Sequence, residues 1–171
     1  MPAKRVAILV ENFYEDMELQ YPWYRLREEG WQVDLIGSAK GVTYKGKHGY
    51  PCQSELASKD CQAGDYDLIL IPGGYSPDHM RRCQATLDFV KAADRAGKWI
   101  AAICHGPWMM ASCCDLKGRR LTSFMSIQDD LTNAGATWVD AEVVVDAHLI
   151  TSRTPQDLIP FTQAMIQALR R

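Results

Sequence analysis

Trp99-Ile100-Ala101-Ala102-Ile103-Cys104-His105-Gly106 is an apolar run that stops abruptly at a cysteine, a histidine and a glycine. A short, continuously apolar segment bounded by such residues reads as a strand buried on both faces, the kind found inside parallel sheets. Val6 to Val10, Val33 to Ile36 and Leu68 to Ile71 repeat the pattern, the first ending at Glu11 and Asn12 and the third at Pro72-Gly73-Gly74. Helical periodicity fills the intervals. It is expected from Asp16 to Glu29, with Gly30 as stop and a kink at Pro22, from Leu87 to Ala96 with Gly97 as stop, and just after Cys104. Leu121 to Ser123 reads as a short strand, Ile127 to Ala134 as a helix closed by Gly135, and Pro155 opens a terminal helix to Leu169. Val42 to Cys52 is expected as a hairpin or loop excursion, Tyr75 to Asp78 as a loop, and Val143 to Val145 with Leu149 to Thr151 as a hairpin around Asp146 and Ala147. Strand and helix alternate from end to end. The fold class is therefore α/β, a three-layer sandwich with a mostly parallel sheet covered by helices on both faces, as in flavodoxin-like proteins.

The bulk properties fit one domain, 1–171, able to bury about two thirds of its unfolded surface without disulfide or metal. A hydrophobic content of 47% is ordinary, and 19 basic against 21 acidic residues leave a formal charge of -2, which gives no electrostatic pull toward nucleic acid or membrane. The apolar run behind Lys4 and Arg5 is too short for a signal peptide or a membrane span, so a cytoplasmic location is expected. The six cysteines form no C-x-x-C pair, and no histidine lies at metal spacing from them, so neither a metal nor another cofactor is expected.

In a doubly wound sheet, ligands bind beyond the carboxyl ends of the strands. Three segments should meet there: Glu11 to Glu18, Gly73 to Asp78, and Cys104 to Gly106. A cysteine ending a buried strand is commonly inert packing. Ala102 and Gly106, two residues either side of Cys104, are the small neighbours that a sharp strand-to-helix turn requires to lift a nucleophile from the sheet. The next helix would point its amides at the sulfur and lower the thiol pKa. His105 either shapes this turn or exchanges a proton with Cys104; side chains adjacent in sequence ordinarily point apart. Glu18, by position alone, is an acid in the first turn of a helix.

The strings F-Y-E-D-M-E-L-Q-Y-P (Phe13 to Pro22), K-G-K-H-G (Lys45 to Gly49), P-G-G-Y-S-P-D (Pro72 to Asp78), A-I-C-H-G-P (Ala102 to Pro107), D-D-L-T-N-A-G-A (Asp129 to Ala136), D-A-E-V-V-V-D (Asp140 to Asp146) and T-S-R-T-P (Thr151 to Pro155) resemble the PfpI branch of the DJ-1/PfpI superfamily. The resemblance implies a class I glutamine-amidotransferase-like sandwich with Cys104 as nucleophile and His105 as its proton acceptor. It also implies that Glu18 approaches the sulfur, and that the amides of Gly74 and His105 form an oxyanion hole. Glu15, Gly73 and Phe124 would line the pocket, Phe124 standing where relatives carry a tyrosine. Asp78 takes the place of an acid supplied to the histidine of a neighbouring subunit, so a homo-oligomer, dimer or hexamer, with an intersubunit site is implied. The implied activity is cysteine-dependent hydrolysis in stress defence, with small carbonyl compounds or glycated proteins and nucleotides as substrates and deglycase or glyoxalase chemistry. An intracellular cysteine peptidase is the alternative, and a non-enzymatic redox sensor or chaperone using oxidation of Cys104 is the other. A true glutamine amidotransferase would carry H-x-E near the C-terminus, where this chain has T-S-R-T-P.

Overall fold

The computed structural model describes residues 4–171. β1 (Arg5–Leu9) leads into α1 (Asp16–Glu28), β2 (Gln32–Gly37), β3 (Thr43–Lys45), β4 (Pro51–Gln53) and β5 (Leu56–Ala57). β6 (Leu68–Ile71) continues through α2 (Ser76–Met80) and α3 (Gln84–Arg95) to β7 (Trp99–Ile103) and α4 (Pro107–Cys113). The last part holds β8 (Arg120–Leu121), α5 (Gln128–Asn133), β9 (Thr137–Trp138), β10 (Val143–Asp146), β11 (Leu149–Ser152) and α6 (Leu158–Arg170).

The main sheet has the order β10-β11-β7-β6-β1-β2-β5, and every pairing in it is parallel except the β10–β11 hairpin. The central strands β6 and β7 are apolar throughout because both faces are covered. Along β1 the side chains alternate: Ala7 and Leu9 join the core under α3 and α4, and Val6 and Ile8 the core under α1 and α6. The chain proceeds from β1 to β2 on one side and to β6 on the other, so the crevice between β1 and β6 is the topological switch point. Everything that follows about the site depends on this reversal. No helix among the described residues is long and apolar enough to cross a membrane.

Several expectations are corrected at element ends. Tyr75 to Asp78 is not a loop: α2 starts at Ser76, with Pro77 in its first turn, where a proline has no intrahelical bond to lose. α3 begins at Gln84, three residues early, capped by Cys83 rather than by an ordinary capping residue. The strand expected at Leu121 to Ser123 ends at Leu121, and Pro155 opens a 3-10 turn ahead of α6. Pro22 gives Glu18 no N–H, yet α1 continues through it as one helix. Gly30, Gly97 and Gly135 follow their helices with φ of 78°, 65° and 98°, the left-handed conformation of a glycine stop.

Candidate active site

Cys104 follows β7 with φ 61°, a left-handed conformation in which a non-glycine residue is strained. The turn is tight enough to require its neighbour: a Cβ on Gly106 would lie 2.4 Å from the Ile71 carbonyl oxygen and 2.8 Å from that of Ile103. The sharp turn also overrides the rule that adjacent side chains diverge. His105 Nδ1 sits 3.2 Å from Cys104 Sγ, and its Nε2 lies 3.1 Å from Ser126 Oγ. Phe124 stacks on the imidazole, ring centroids 5.1 Å apart, and its N–H donates to the Cys104 carbonyl at 2.9 Å.

The loop after β6 approaches from the other side. Gly73 donates its N–H to Glu18 Oε2 at 2.7 Å, and a Cβ there would meet Glu18 Oε2, Cys104 Cβ and the His105 nitrogen within 2.9 Å. Gly74 has φ 70° and a backbone so close to Phe13 and Glu15 that no side chain fits. Tyr14 and Gly74 form an isolated bridge, Glu15 N–H donates to the Gly73 carbonyl at 3.2 Å and Tyr75 N–H to that of Phe13 at 2.8 Å. The loops after β1 and β6 are thus stitched together beside the cysteine, as the switch point requires.

Glu18 is fully buried, and its Oε1 has no hydrogen-bond partner among the described residues. Burial pushes its pKa up to about 8, against the Gly73 N–H, with the charge of Glu15 adding to the rise. The thiol is raised as well, first by burial and then by the Glu18 charge; the backbone N–H groups of Gly74 and His105, directed at the sulfur, oppose this. The acidic thiol expected from a following helix is therefore corrected. Desolvation outweighs the seven-residue α4, and with both groups raised, Glu18 and Cys104 each keep a proton at neutral pH, Glu18 being the first to ionise as pH rises. Burial, followed by the charge of Lys47, lowers the pKa of His105 and keeps it a neutral acceptor.

These groups border a cavity of 860 Å³ whose largely apolar wall includes the rings of Phe13, Tyr75, Trp108 and Phe124. Of the site residues expected from sequence, Cys104, His105, Glu18, Glu15, Gly74 and Phe124 line it, and Gly73 packs directly behind Cys104 and Glu18. Asp78 is not brought to His105. It pairs with Arg82 one turn along and lies outside the cavity lining. Two residues not singled out from sequence do belong: Ser126, on the imidazole, and Lys47, whose Nζ is 2.5 Å from Glu15 Oε2. Lys47 lies inside the K-G-K-H-G string, where a cation between glycines gave only a loop signal; Ser126 had no signal.

Glu15, Asp16 and His48 place potential ligand atoms within 4.8 Å of one another. Lys47 already neutralises Glu15, and the Asp16 oxygens accept the N–H groups of His48 and Tyr50 at 3.0 and 3.1 Å, so a cation would have to displace both.

Known proteins resemble this chain over nearly its whole length. The DJ-1/PfpI family model matches residues 4–168. An uncharacterized protein of Archaeoglobus fulgidus is 47% identical over 98% of this chain and 99% of its own length. The deglycase PfpI of Pyrococcus furiosus is 38% identical over 97% and 99%. Among solved structures, a two-domain Anabaena variabilis protein with DJ-1/ThiJ/PfpI-like and ferritin-like domains superimposes with TM-score 0.95 at 42% identity, covering 97% of this chain and 48% of that one. Drosophila melanogaster DJ-1beta gives 0.88 at 28% identity, covering 95% and 88%. With a match running from Lys4 to Ala168 and the switch-point cysteine in place, the chain belongs to the DJ-1/PfpI family.

Proposed function

We propose that the protein is a cysteine-dependent hydrolase that removes glyoxal or methylglyoxal adducts from amino groups. The observation that carries this reading is the geometry at Cys104: a sulfur on a strained turn, 3.2 Å from a histidine nitrogen and facing a buried glutamate, inside a largely apolar cavity. Relatives from Pyrococcus abyssi, Pyrococcus furiosus and Pyrococcus horikoshii named as deglycases support it.

Cys104 sulfur displaces the amine at the carbinol carbon of the adduct, the C–S bond forming as the C–N bond breaks and the thiol proton passing to Glu18 or His105. The N–H groups of Gly74 and His105, already aimed at the sulfur, are placed for the oxyanion that develops beside it. For a methylglyoxal hemiaminal, R–NH–CH(OH)–CO–CH3, this releases R–NH2 and leaves S–CH(OH)–CO–CH3 on the cysteine; a proton moved from the carbinol carbon to the ketone carbon through an enediolate turns that group into the thioester S–CO–CH(OH)–CH3, and one water breaks the C–S bond to release lactic acid and the Cys104 thiol. The retained proton returns to the leaving amine. In this reading Asp78 of a neighbouring subunit supplies the acid that orients His105, and the active form is a homo-oligomer.

The test follows free amine and hydroxy acid together, in an amine-free buffer, after a methylglyoxal-treated peptide is given to wild type and to Cys104→Ser. Both products should appear with wild type and fall to the uncatalysed rate with the variant. Equal release by the two proteins sinks the reading. A Bacillus subtilis relative, 40% identical, bears a cysteine-protease name, so a fluorogenic peptide is assayed in parallel. Cleavage there without adduct release would replace the deglycase reading with the peptidase one.

A further inference from the structure

Lys47 is brought to the cavity by a purpose-built turn. Between β3 and β4 the chain folds around the Asp16 carboxylate, whose oxygens accept the N–H groups of His48 and Tyr50 at 3.0 and 3.1 Å. Gly46 passes so close that a Cβ would sit 2.4 Å from Asp16 Oδ1, and Gly49 closes the turn with φ 91°. The Lys47 N–H donates to the Tyr14 carbonyl at 2.9 Å, which ties the turn to the loop after β1. Its ammonium lies 2.5 Å from Glu15 Oε2, and Glu15 is itself buried.

We propose that Lys47 is a positioning residue for the Cys104 centre, held in the cavity by Glu15 and the Asp16 turn so that its ammonium stabilises the negative charge that develops as Glu18 and Cys104 ionise.

The charges that face this centre leave no other candidate among the described residues. From the start of α1 and the residue before it come Glu18 and Glu15, from α5 Asp130, and from the nucleophile turn a neutral His105; among the described residues Lys47 is the one permanent cation lining the cavity. His48 touches the pair from outside, its Nδ1 3.9 Å from Glu15 Oε1 and 3.3 Å from Asp16 Oδ2. The Glu15 contact raises the pKa of Lys47, which keeps it charged and excludes it as an amine nucleophile. Its field also lowers the pKa of Glu18, against the opposite effect of Glu15. Glu15 is thus both tether and counterweight. The proposal assigns tuning of the same site to a group outside the Cys104–His105–Glu18 cluster. It rests on Cys104 being the reactive centre, and not on the identity of the substrate.

The experiment is the pH profile of Cys104 alkylation by iodoacetamide, read at Cys104 by peptide mass spectrometry. Lys47→Met should move the midpoint to higher pH and slow alkylation at pH 7 between roughly three- and tenfold, half to one pKa unit. Lys47→Arg should restore most of the wild-type profile, and Glu15→Gln should move the midpoint to lower pH. Asp16→Asn, which loosens the turn and leaves the cavity groups intact, should reproduce part of the Lys47→Met shift. His48→Gln separates any step due to that histidine. A Lys47→Met profile superimposed on wild type, with circular dichroism unchanged, overturns the proposal. Alkylation needs no substrate. A shifted profile in a protein that releases no amine from any adduct would remove the deglycase reading and leave this one standing.

Discussion

Glu18 has a free-energy consequence that can be read without any substrate. Its pKa in the fold is about 8, against an ordinary value of 4.5, because the charged form is penalised by burial. Between those two values the unfolded chain has released the proton and the folded chain has kept it. Stability is therefore fully present below the unfolded value and falls as pH rises through the folded one, by a few kcal/mol in all, at about 1.4 kcal/mol per unit. Denaturant unfolding of Cys104→Ser between pH 4.5 and 8.5 should show this decline with Glu18 free of its partner thiol. Cys104→Ser/Glu18→Gln should be much flatter over the same range; parallel curves would mean that Glu18 ionises normally. Residue by residue, the sequence was most informative where sterics decide. Ala102 and Gly106 announced the turn at Cys104, because nothing larger than hydrogen fits at Gly106. It was least informative about charge: a helix start after the cysteine suggests an acidic thiol, and the burial of the sulfur, with Glu18 beside it, reverses the sign only in three dimensions.

Between elements, polar side chains do work that hydrophobic patterning does not reveal. Asp94, near the end of α3, bonds His148 Nε2 at 2.7 Å in the β10–β11 turn and accepts the Asp115 N–H at 2.9 Å in the loop after α4. It joins three segments far apart in the chain. Asp94→Ala leaves both partners without it and should cost about 1–3 kcal/mol, the usual result of orphaning a largely buried donor. A thermal melt should register the loss while the Cys104 alkylation rate stays at the wild-type value, since Asp94 does not touch the cavity. A stability change below about 0.5 kcal/mol would show that water replaces the carboxylate without cost. His148, in the turn of that hairpin, is therefore a staple. Strands β1, β6 and β7 were legible because burial on both faces demands unbroken apolar runs. α2 was missed because Tyr75 to Asp78 follows two glycines and contains a proline, a loop signal and a helix-start signal in the same residues. Lys47 shows the same limit. A turn organised by Asp16, some thirty positions upstream, has no local signature beyond its glycines.

For the molecule as a whole, the reversal of strand order between β1 and β6 gathers Glu15, Glu18, Gly73, Gly74, Cys104 and His105 beyond the carboxyl ends of the central strands. The alternation of elements was enough to expect that gathering, since a doubly wound sheet has its crevice where the winding changes direction. Asp78 is the residue that one chain does not bring in. It sits on α2, paired with Arg82, and within the chain His105 Nε2 is served by Ser126 instead. If Asp78 acts, it acts on another copy, and complementation tests this directly. Asp78→Ala keeps Cys104 but lacks the acid, and Cys104→Ser keeps the acid but lacks the nucleophile. Each variant alone should be nearly inactive on the adduct. After the two are mixed, unfolded and refolded together, hybrids place an intact Cys104 opposite an intact Asp78, and turnover should rise above that of either parent. Light scattering of the same samples should give a mass above that of the 19.3 kDa chain, and the regained activity should disappear when the hybrid is diluted until it dissociates. A mixture with no more than the average activity of its two parents would confine Asp78 to its pairing with Arg82, leaving Ser126 to orient His105.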